Sequence, residues 1–475
     1  MEKETSKVGG LLSVLIIAVV TIVVWYQFFG YAIIKPKLTN IENELFGEAQ
    51  AEPVLLDIQS AEEAYDAILN KSTKEFIGNY TIDDNFLSWF ASKYGVETLE
   101  AIASYAELSD AEIWYDMTGA SIHVLWNNYC QETGYEIVST QDTYSRDAQS
   151  SYETVLDFTG DFSLADGTGV GEFYKENVKS DVTDFFSPEL VSELHRADIL
   201  TINNETTYTT RGEALEGKPY TFRTNPDYTS QLNVLGCDVA GLANNHVYDF
   251  GEIGLLDTLD NLEANSIPYA GAGKNIDEAD DPIYYIVNGR KIAIVAATQI
   301  ERYYNYTKEA TSTSAGVLKT KDPARYVASI REAKKNADYV ICFVHWGTEG
   351  INHQAADQKA LADAFIAAGA DAIIGGHTHC LQGIEVKDGV PIFYSLGNFY
   401  FTEQTELPHE YDTAIAQLVI KKDGSIESRL IPCQFKDGYL TMLTDGEDYR
   451  RILDDVQSYS SGIRIDNDGR IISDK

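Results

Sequence analysis

The segment from Ile373 to Gln382 reads IIGGHTHCLQ and combines an apolar run, two glycines and two histidines spaced two apart. The apolar run predicts a buried strand, and the glycines let the backbone turn tightly and come close to other groups. We expect His377 and His379 to lie on an extended segment, on the same side, with their backbones about 7 Å apart. The two imidazoles could then bind one metal ion, or one each of two ions about 3.5–4 Å apart.

Polar side chains also follow most of the other predicted strands. After about residue 152, strand patterns alternate with helical patterns, which predicts an α/β domain with a buried, largely parallel sheet. The strand candidates are TVLDFT, ADILTIN, DVAGLAN, KIAIVAAT, ADYVICFVHW, ADAIIGG and PIFYSLGNF. Because the carboxyl ends of such strands meet loops at one edge of a sheet, we expect the groups that follow them to gather there. Those groups are Asp161, Glu205, Asn245, His246, His345, His377, His379 and Asn398.

The types of these side chains are those of a divalent metal site. Imidazole and carboxylate suit Zn, Mn or Fe, and the residues do not decide among these metals. A carboxylate such as Asp161 or Glu205 can bridge two ions, and Asn245 can offer a carbonyl oxygen. His345 alone could equally be a packed core histidine, and the convergence of strand ends favours the metal interpretation. Asp249, just beyond, is interpreted as a loop cap rather than a ligand.

The stretch from Val8 to Ile34 contains no charged residue. At about 1.5 Å per residue, a helix of this length exceeds the ~30 Å hydrocarbon core of a bilayer. A cleaved signal peptide is the alternative, but its apolar region is usually only about 7–15 residues long. We therefore expect an uncleaved single-pass anchor in the cell membrane, with the short tail inside and the main domain extracytoplasmic.

The charge is strongly acidic and unevenly distributed. The net charge of −38 makes nucleic acid an improbable partner, because a polyphosphate would be repelled. Residues 38–150 hold 21 Asp and Glu against 4 Lys and Arg, show helical spacing, and end in the polar linker-like segment STQDTYSRDAQSS. The predicted organisation is a tail and transmembrane helix (1–37), a small acidic, mainly helical extracytoplasmic module with linker (38–150), the domain that carries the chemistry (151–420) and a C-terminal extension (421–475).

One long segment makes the sequence recognisable. NNHVYDFGEIGLLDTLDNLEANSIPYAGAG resembles the signature of the CapA/PgsA family of bacterial capsule synthesis proteins. The blocks TGDFSLAD, TINNET, CFVHWGTEG, GGHTHCLQGIEV and IFYSLGNFYF follow the family order, so the resemblance covers roughly residues 154–402. It implies a fold similar to calcineurin-like metallophosphatases, with a β-sandwich flanked by helices. It also implies a membrane-tethered protein that makes or anchors poly-γ-glutamate capsule.

The resemblance also implies a role for each strand-end group. The implied roles are metal ligation by Asp161, Glu205 (bridging), Asn245, His345, His377 and His379, with His246 and Asp161 as catalytic residues and His246 facing the substrate. Three positions depart from the pattern of a metallophosphatase. Ser163 stands where the histidine of Asp-x-His is usual, Asn-Asn-Glu replaces Gly-Asp-x-x-Asp, and Thr378 replaces a proline. One metal position therefore has weaker ligation.

Three functions remain open from the sequence. The first is an anchored capsule-synthesis hydrolase, in which a divalent metal activates water and His246 assists the leaving group of a phosphoester or polymer amide. The second is a non-catalytic assembly factor that binds poly-γ-glutamate, or a similar surface polymer, beside membrane synthase or export components. Because a protein of this charge repels polyglutamate, such binding would need the metal site or bridging divalent cations. The third is a surface protein of unrelated purpose that keeps the fold.

Overall fold

The computed structural model describes residues 84–104, 143–145, 153–301, 304–401 and 411–474, with single residues between 117 and 150. Within these ranges, no helix has the length and apolar character needed to span a bilayer. The predicted anchor between Val8 and Ile34 lies outside the described residues.

The strands of the described residues are β1 (Thr143–Ser145), β2 (Thr154–Phe162), β3 (Ile199–Asn204), β4 (Thr207–Tyr208), β5 (Arg223–Thr224), β6 (Val239–Gly241), β7 (Tyr269–Ala270), β8 (Ala272–Gly273), β9 (Ile283–Val287), β10 (Arg290–Thr298), β11 (Gly316–Val317), β12 (Tyr339–His345), β13 (Ala372–Gly376), β14 (Ile384–Lys387), β15 (Val390–Phe393), β16 (Asn398–Tyr400), β17 (Asp412–Ile420), β18 (Ile426–Lys436), β19 (Tyr439–Met442), β20 (Ile463–Ile465) and β21 (Ile471–Ser473). The helices there are α1 (Asp84–Tyr94), α2 (Val96–Ser104), α3 (Gly169–Asn177), α4 (Pro188–Arg196), α5 (Ser230–Val234), α6 (Gly251–Ala264), α7 (Ile276–Asp280), α8 (Ala324–Asn336), α9 (Ala356–Ala368) and α10 (Gly446–Tyr459).

Most of the strands belong to two large mixed sheets. The seven-stranded sheet has the order β1-β9-β10-β12-β13-β15-β14, and the eight-stranded sheet has the order β19-β18-β17-β2-β3-β6-β7, with β16 beside β2. The α/β class is thereby confirmed, but the expectation of one largely parallel sheet is wrong. Strands buried on both faces read as similar apolar runs whichever sheet they join, so the pattern cannot assign them to two sheets.

The two sheets pack face to face, and helices cover both outer faces. Between the sheets, the rings of Phe158 on β2 and Phe343 on β12 lie 6.2 Å apart, within a continuous apolar core. Helices α3 to α6 cover the eight-stranded sheet, and Leu259 of α6 belongs to the same apolar cluster as Ile202 of β3. Helices α8 and α9 cover the seven-stranded sheet. The result is a β-sandwich flanked by helices, in which each element buries its apolar face.

Local sequence signals fix several element boundaries. Helix α4 follows Ser187, whose hydroxyl accepts a hydrogen bond from the Leu190 amide, and Pro188 takes the first helical position. Helix α9 ends before Gly369, which adopts the left-handed conformation (φ 112°) that glycine tolerates.

Segments outside the predicted domain also contribute strands. In the predicted linker, β1 pairs with β9, and Tyr144 stacks on Tyr285 with ring centroids 5.2 Å apart. Beyond residue 420, β18 pairs back on β17, and Ile452 of α10 is buried in the core between the sheets. Residues 421–474 therefore contribute to the same core as the strands before them.

The longest described part of the acidic module is residues 84–104. Helices α1 and α2 are separated there by Gly95, which has φ 91°. Phe86 and Phe90 of α1 and Leu99 of α2 are fully buried. The apolar residues of both helices therefore provide a buried face within a strongly acidic segment.

Asp157 is a charged residue placed inside the eight-stranded sheet. Its Oδ1 accepts a hydrogen bond of 3.0 Å from Gln417 of the neighbouring strand, while Oδ2 is buried without a hydrogen-bond partner among the described residues. Burial, together with the charge of Glu193, raises the pKa of Asp157 to about 7. The folded state therefore holds this proton more tightly than the unfolded chain does, and stability is lost as the pH rises from about 4 through 7.

We predict that Asp157→Asn makes the protein more stable than the wild type, and increasingly so at higher pH. The amide cannot ionise, so the difference in free energy of unfolding should grow by roughly 2 kcal/mol between pH 5 and pH 8. Urea denaturation at the two pH values measures it. Asp454→Asn, on the exposed side of α10, is the control for loss of one charge. A difference that is the same at both pH values would contradict the assignment.

Candidate metal centre

The carboxyl ends of strands from both sheets meet at one end of the sandwich. In the eight-stranded sheet, Asp161 lies opposite Asn203 of β3 on one side and Asn398 of β16 on the other. In the seven-stranded sheet, His345 at the end of β12 lies opposite Gly376 at the end of β13. The predicted ligands therefore converge, but between two sheets and not along the edge of one.

The two histidines of the GGHTH segment lie in a turn. Strand β13 ends at Gly376, and His377 and His379 both have positive φ angles, of 93° and 56°. The expectation that they lie on an extended segment is therefore wrong. Non-glycine residues rarely adopt such φ values, and they occur preferentially at functional sites. The turn places the two ring centroids 5.9 Å apart.

The two glycines of this segment are required by close approach to neighbouring chain. A Cβ on Gly375 would lie 2.1 Å from the carbonyl oxygen of Tyr394. A Cβ on Gly376 would lie 3.0 Å from Asp161 Oδ1. Side chains at these positions would push the turn away from the neighbouring strands, so the glycines allow the histidines to reach the carboxylates.

All six predicted ligands lie in one cluster. The ligand atoms of Glu205, His345 and His377 lie within 4.8 Å of one another, as do those of Asp161, Glu205 and His379. Glu205 belongs to both groups, as expected of a bridging carboxylate. The sixth residue, Asn245, joins the first group, because its Oδ1 lies 2.8 Å from His345 Nε2.

The carboxylates of this cluster have the environment of cation ligands. Glu205 is fully buried, and neither of its oxygens has a hydrogen-bond donor among the described residues; Asp161 Oδ2 is in the same state. The nearest nitrogen atoms belong to imidazoles, with His345 Nε2 3.2 Å from Glu205 Oε1 and His379 Nδ1 3.4 Å from Asp161 Oδ2. Burying carboxylates without donors is costly unless a cation compensates them. The oxygen and imidazole donors present fit a divalent ion such as Mn, Zn or Fe.

The surroundings of these groups shift their pKa values away from the usual ones. Burial and the neighbouring charge of Asp161 raise the pKa of Glu205 well above its usual value. Burial alone would raise the pKa of Asp161, but the neighbouring imidazoles of His379 and His345 outweigh it, so that the pKa of Asp161 is lowered. Burial lowers the pKa of His345 to about 3, so this imidazole stays neutral at physiological pH, the form that binds metals.

A layer of asparagines holds the ligands in place. Asn203 donates a hydrogen bond of 2.6 Å to Asp161 Oδ1, and its Nδ2 lies 3.2 Å from His345 Nδ1. Asn398 Oδ1 lies 2.8 Å from His379 Nδ1. The sequence shows these asparagines at strand ends, but it gives no sign that they contact ligands rather than bind metal. Such partners fix the orientation of metal-binding side chains.

His246 is positioned by Asp249, which is itself paired with the buried Lys218. Its Nδ1 lies 2.8 Å from Asp249 Oδ2, and its Nε2 lies 4.0 Å from Glu205 Oε1, on the side of the ligand cluster. Asp249 also accepts a hydrogen bond of 2.5 Å from Lys218, whose side chain is only 5% exposed. Burial lowers the pKa of His246, partly offset by Asp249. Asp249 is thus neither ligand nor simple loop cap, but a positioning residue for His246.

A cavity of about 630 Å³ gives access to the cluster. His246, Asn245 and His377 line it on the side of the ligands. Tyr220 and Tyr304, at 70% and 67% exposure, form part of its rim. The site is therefore within reach of an external substrate.

The part of the chain that carries the candidate site is also the part that matches a known protein family. The model of the family described as "Bacterial capsule synthesis protein PGA_cap" matches residues 155–403, just over half of the chain. The chain belongs to this family. The matched segment contains every residue of the metal cluster, from Asp161 to His379.

Several curated relatives bear names in keeping with the family. The "PGA biosynthesis protein CapA" of Bacillus subtilis (strain 168) is 37% identical over 44% of this chain and 54% of its own length. The "Capsule biosynthesis protein CapA" of Bacillus anthracis is 34% identical over 46% of this chain and 52% of its own. A "Probable polyglutamine synthesis accessory protein" of Mycobacterium tuberculosis (strain CDC 1551 / Oshkosh) is 33% identical over 44% and 57%. The chain thus spans about half the length of the curated relatives it matches.

Solved structures are less similar. A 5'-nucleotidase from Candida albicans SC5314 shares 12% identity at a TM-score of 0.34, covering 62% of this chain and 54% of that chain. A similarity at this level does not support a conclusion about the function of the present chain.

We predict that Asp249→Ala lowers the free energy of unfolding by roughly 3 kcal/mol, because the buried Lys218 ammonium loses its nearest carboxylate and keeps only Glu301, 3.5 Å away. Urea denaturation in EDTA measures this without a contribution from metal. The double variant Lys218→Met/Asp249→Ala should recover part of the loss, since the buried ammonium is then removed together with its nearest carboxylate. Asp166→Ala, which breaks the exposed pair with Lys175, should leave the midpoint nearly unchanged. Lys218→Met is measured as the second single variant. A loss of unfolding free energy in the double variant equal to the sum of the losses in the two single variants would contradict the prediction.

Proposed function

We propose that this PGA_cap family member is a divalent-metal-dependent hydrolase that serves synthesis of a capsular poly-γ-glutamate or similar surface polymer. The observation that carries the proposal is the pair of buried carboxylates, Asp161 and Glu205. Both Glu205 oxygens and Asp161 Oδ2 lack a hydrogen-bond donor among the described residues, and they face three imidazoles. A helix-flanked sandwich with ligands at the strand ends is also what a calcineurin-like metallophosphatase fold requires, and we assign the domain to that fold.

The cluster offers ligands for two neighbouring ions. Glu205, Asn245, His345 and His377 would hold one of them, and Asp161, Glu205 and His379 the other. A bound divalent ion supplies Lewis-acid polarisation of a phosphoryl or carbonyl oxygen in the substrate. The reaction class is hydrolysis of a phosphoester or of an amide in a polymer.

The protein's own contribution is to position a proton-transferring group beside the substrate. Asp249 accepts the hydrogen bond of His246 Nδ1 and so fixes the ring, and Phe222 packs against it with ring centroids 4.2 Å apart. This leaves Nε2, on the side of the ligand cluster, to exchange a proton with the leaving group or to stabilise developing charge. The tyrosine rim of the cavity would guide a chain-like substrate toward this atom.

A second candidate function is a non-catalytic assembly factor. The presence of Ser163 in place of a histidine ligand favours it, as does the word "accessory" in the name of the Mycobacterium tuberculosis relative. Here the metal centre would bind the polymer, and the net charge of −38 would make that binding dependent on divalent cations.

The location follows from the apolar N-terminal segment. We propose a single-pass anchor between Val8 and Ile34 in the cell membrane, with residues from 38 onward extracytoplasmic. The acidic module, residues 38–150, would then lie between the membrane and the catalytic domain. Membrane synthase or export components and the surface polymer are the proposed partners.

We predict that the purified full-length chain binds about one or two divalent ions after loading with Mn²⁺ or Zn²⁺. His377→Ala should lose at least one of them, because this imidazole belongs to the buried ligand cluster. Elemental analysis after gel filtration measures the content. His195→Ala is the matched control, since His195 lies on the exposed side of α4 and hydrogen-bonds the Val234 carbonyl. Equal metal content in both variants would remove the basis of the proposal.

We predict that His246→Gln reduces the rate of metal-dependent hydrolysis by about 10²–10⁴-fold while metal content stays that of the wild type. The substrates are an aryl phosphoester and a γ-glutamyl amide polymer, each assayed with and without chelator. Loss of activity together with loss of metal would assign His246 to ligation rather than to proton transfer. Polymer binding that requires divalent ions, without turnover of either substrate, would favour the assembly factor.

A further inference from the structure

The loop between β12 and α9 brings a carboxylate without an assigned role to the metal centre. Glu349 lies four residues beyond His345, between Gly347 (φ 95°) and Gly350 (φ 70°). The Gly350 amide donates a hydrogen bond of 2.8 Å to the carbonyl oxygen of Thr378, the residue between the two ligand histidines. The loop is therefore fixed against the histidine turn.

The position of Glu349 places its carboxylate among metal ligands. One of its oxygens and a ring nitrogen of both His377 and His379 lie within 4.8 Å of one another. Glu349 is exposed and lines the cavity on the way to the cluster. Among the described residues it has neither a hydrogen-bond partner nor an ion-pair partner. The other acidic residue of the cavity, Glu301, is different, because it accepts a hydrogen bond from Thr307 and lies 3.5 Å from Lys218.

One of the two metal positions has room for another ligand. The group of Asp161, Glu205 and His379 offers three side chains, which leaves a fourth coordination position for a further side chain or for water. Ser163, which replaces the histidine usual in metallophosphatases, is buried, and its hydroxyl has no hydrogen-bond partner among the described residues. Two divalent ions would also exceed the charge of two carboxylates, so a third carboxylate is electrostatically favourable.

We propose that Glu349 is a further metal ligand, which binds from the cavity side and completes the position next to His379. This inference rests on the proposed metal centre. It assigns to the HWGTEG segment a second contribution besides His345, and the ligand comes from a loop instead of the position of Ser163. Because Glu349 is exposed, an ion arriving through the cavity would meet this carboxylate first.

The test is the affinity of the full-length chain for Mn²⁺, measured by isothermal titration calorimetry after removal of metal with chelator. Glu349→Gln should weaken the binding of one ion by at least about 10-fold. The matched control is Glu301→Gln, which removes the same charge from the same cavity and should bind Mn²⁺ as the wild type does. Equal melting temperatures of the three proteins in EDTA would show that folding is unaffected.

The outcomes separate this inference from the proposed function. If Glu349→Gln binds Mn²⁺ as tightly as the wild type, Glu349 is not a ligand, while the metal centre itself stands. If Glu301→Gln loses affinity to the same extent, the effect is general electrostatics of the cavity and the inference is overturned. If the wild type binds no Mn²⁺, the proposed function fails first, and Glu349 has no metal to bind.

Discussion

The structure depends on two buried carboxylates held close together, three of whose four oxygens have no hydrogen-bond donor among the described residues. Asp161 ends a central strand, Glu205 follows the neighbouring one, and both are fully buried between the two sheets. Their mutual repulsion and desolvation would oppose folding unless positive charge compensates them. The surrounding imidazoles, the asparagine layer and the close approach of Gly376 give the arrangement expected around such a compensating ion. The stability of this region and its proposed chemistry would then depend on the same groups.

The two-sheet architecture explains why the ligands differ in kind. The eight-stranded sheet supplies the candidate oxygen ligands Asp161, Glu205 and Asn245, whereas the seven-stranded sheet supplies the imidazoles of His345, His377 and His379. Packing the sheets face to face brings the two sets together at one end of the sandwich. The apolar core around Phe158 and Phe343 therefore sets the distance between carboxylates and histidines, so that core packing is coupled to metal geometry.

The distribution of charge bears on where the proposed anionic polymer would bind. The lysine that lines the cavity, Lys218, is engaged with Asp249 and the Asn245 carbonyl and is almost fully buried. With a net charge of −38, the remainder of the protein repels polyanions. Divalent ions at the cluster would reverse this locally, which links the proposed substrate class to the metal in either of the two candidate functions.

From the sequence alone, the α/β class and the family could be predicted, and six candidate ligands could be named, because strand periodicity and strand-end chemistry are local properties. The family resemblance also implied a β-sandwich, but the strand patterns did not show which strands join which sheet or that β1 and β18 take part, since pairing partners depend on packing between distant segments. The turn conformation of His377 and His379, the support of His246 by Asp249, and the approach of Glu349 were decided only by the tertiary structure. The histidine turn and the approach of Glu349 depend on contacts between segments far apart in sequence. The contact of Asp249 with His246 spans three residues, but it depends on a loop conformation that the residue types alone do not encode.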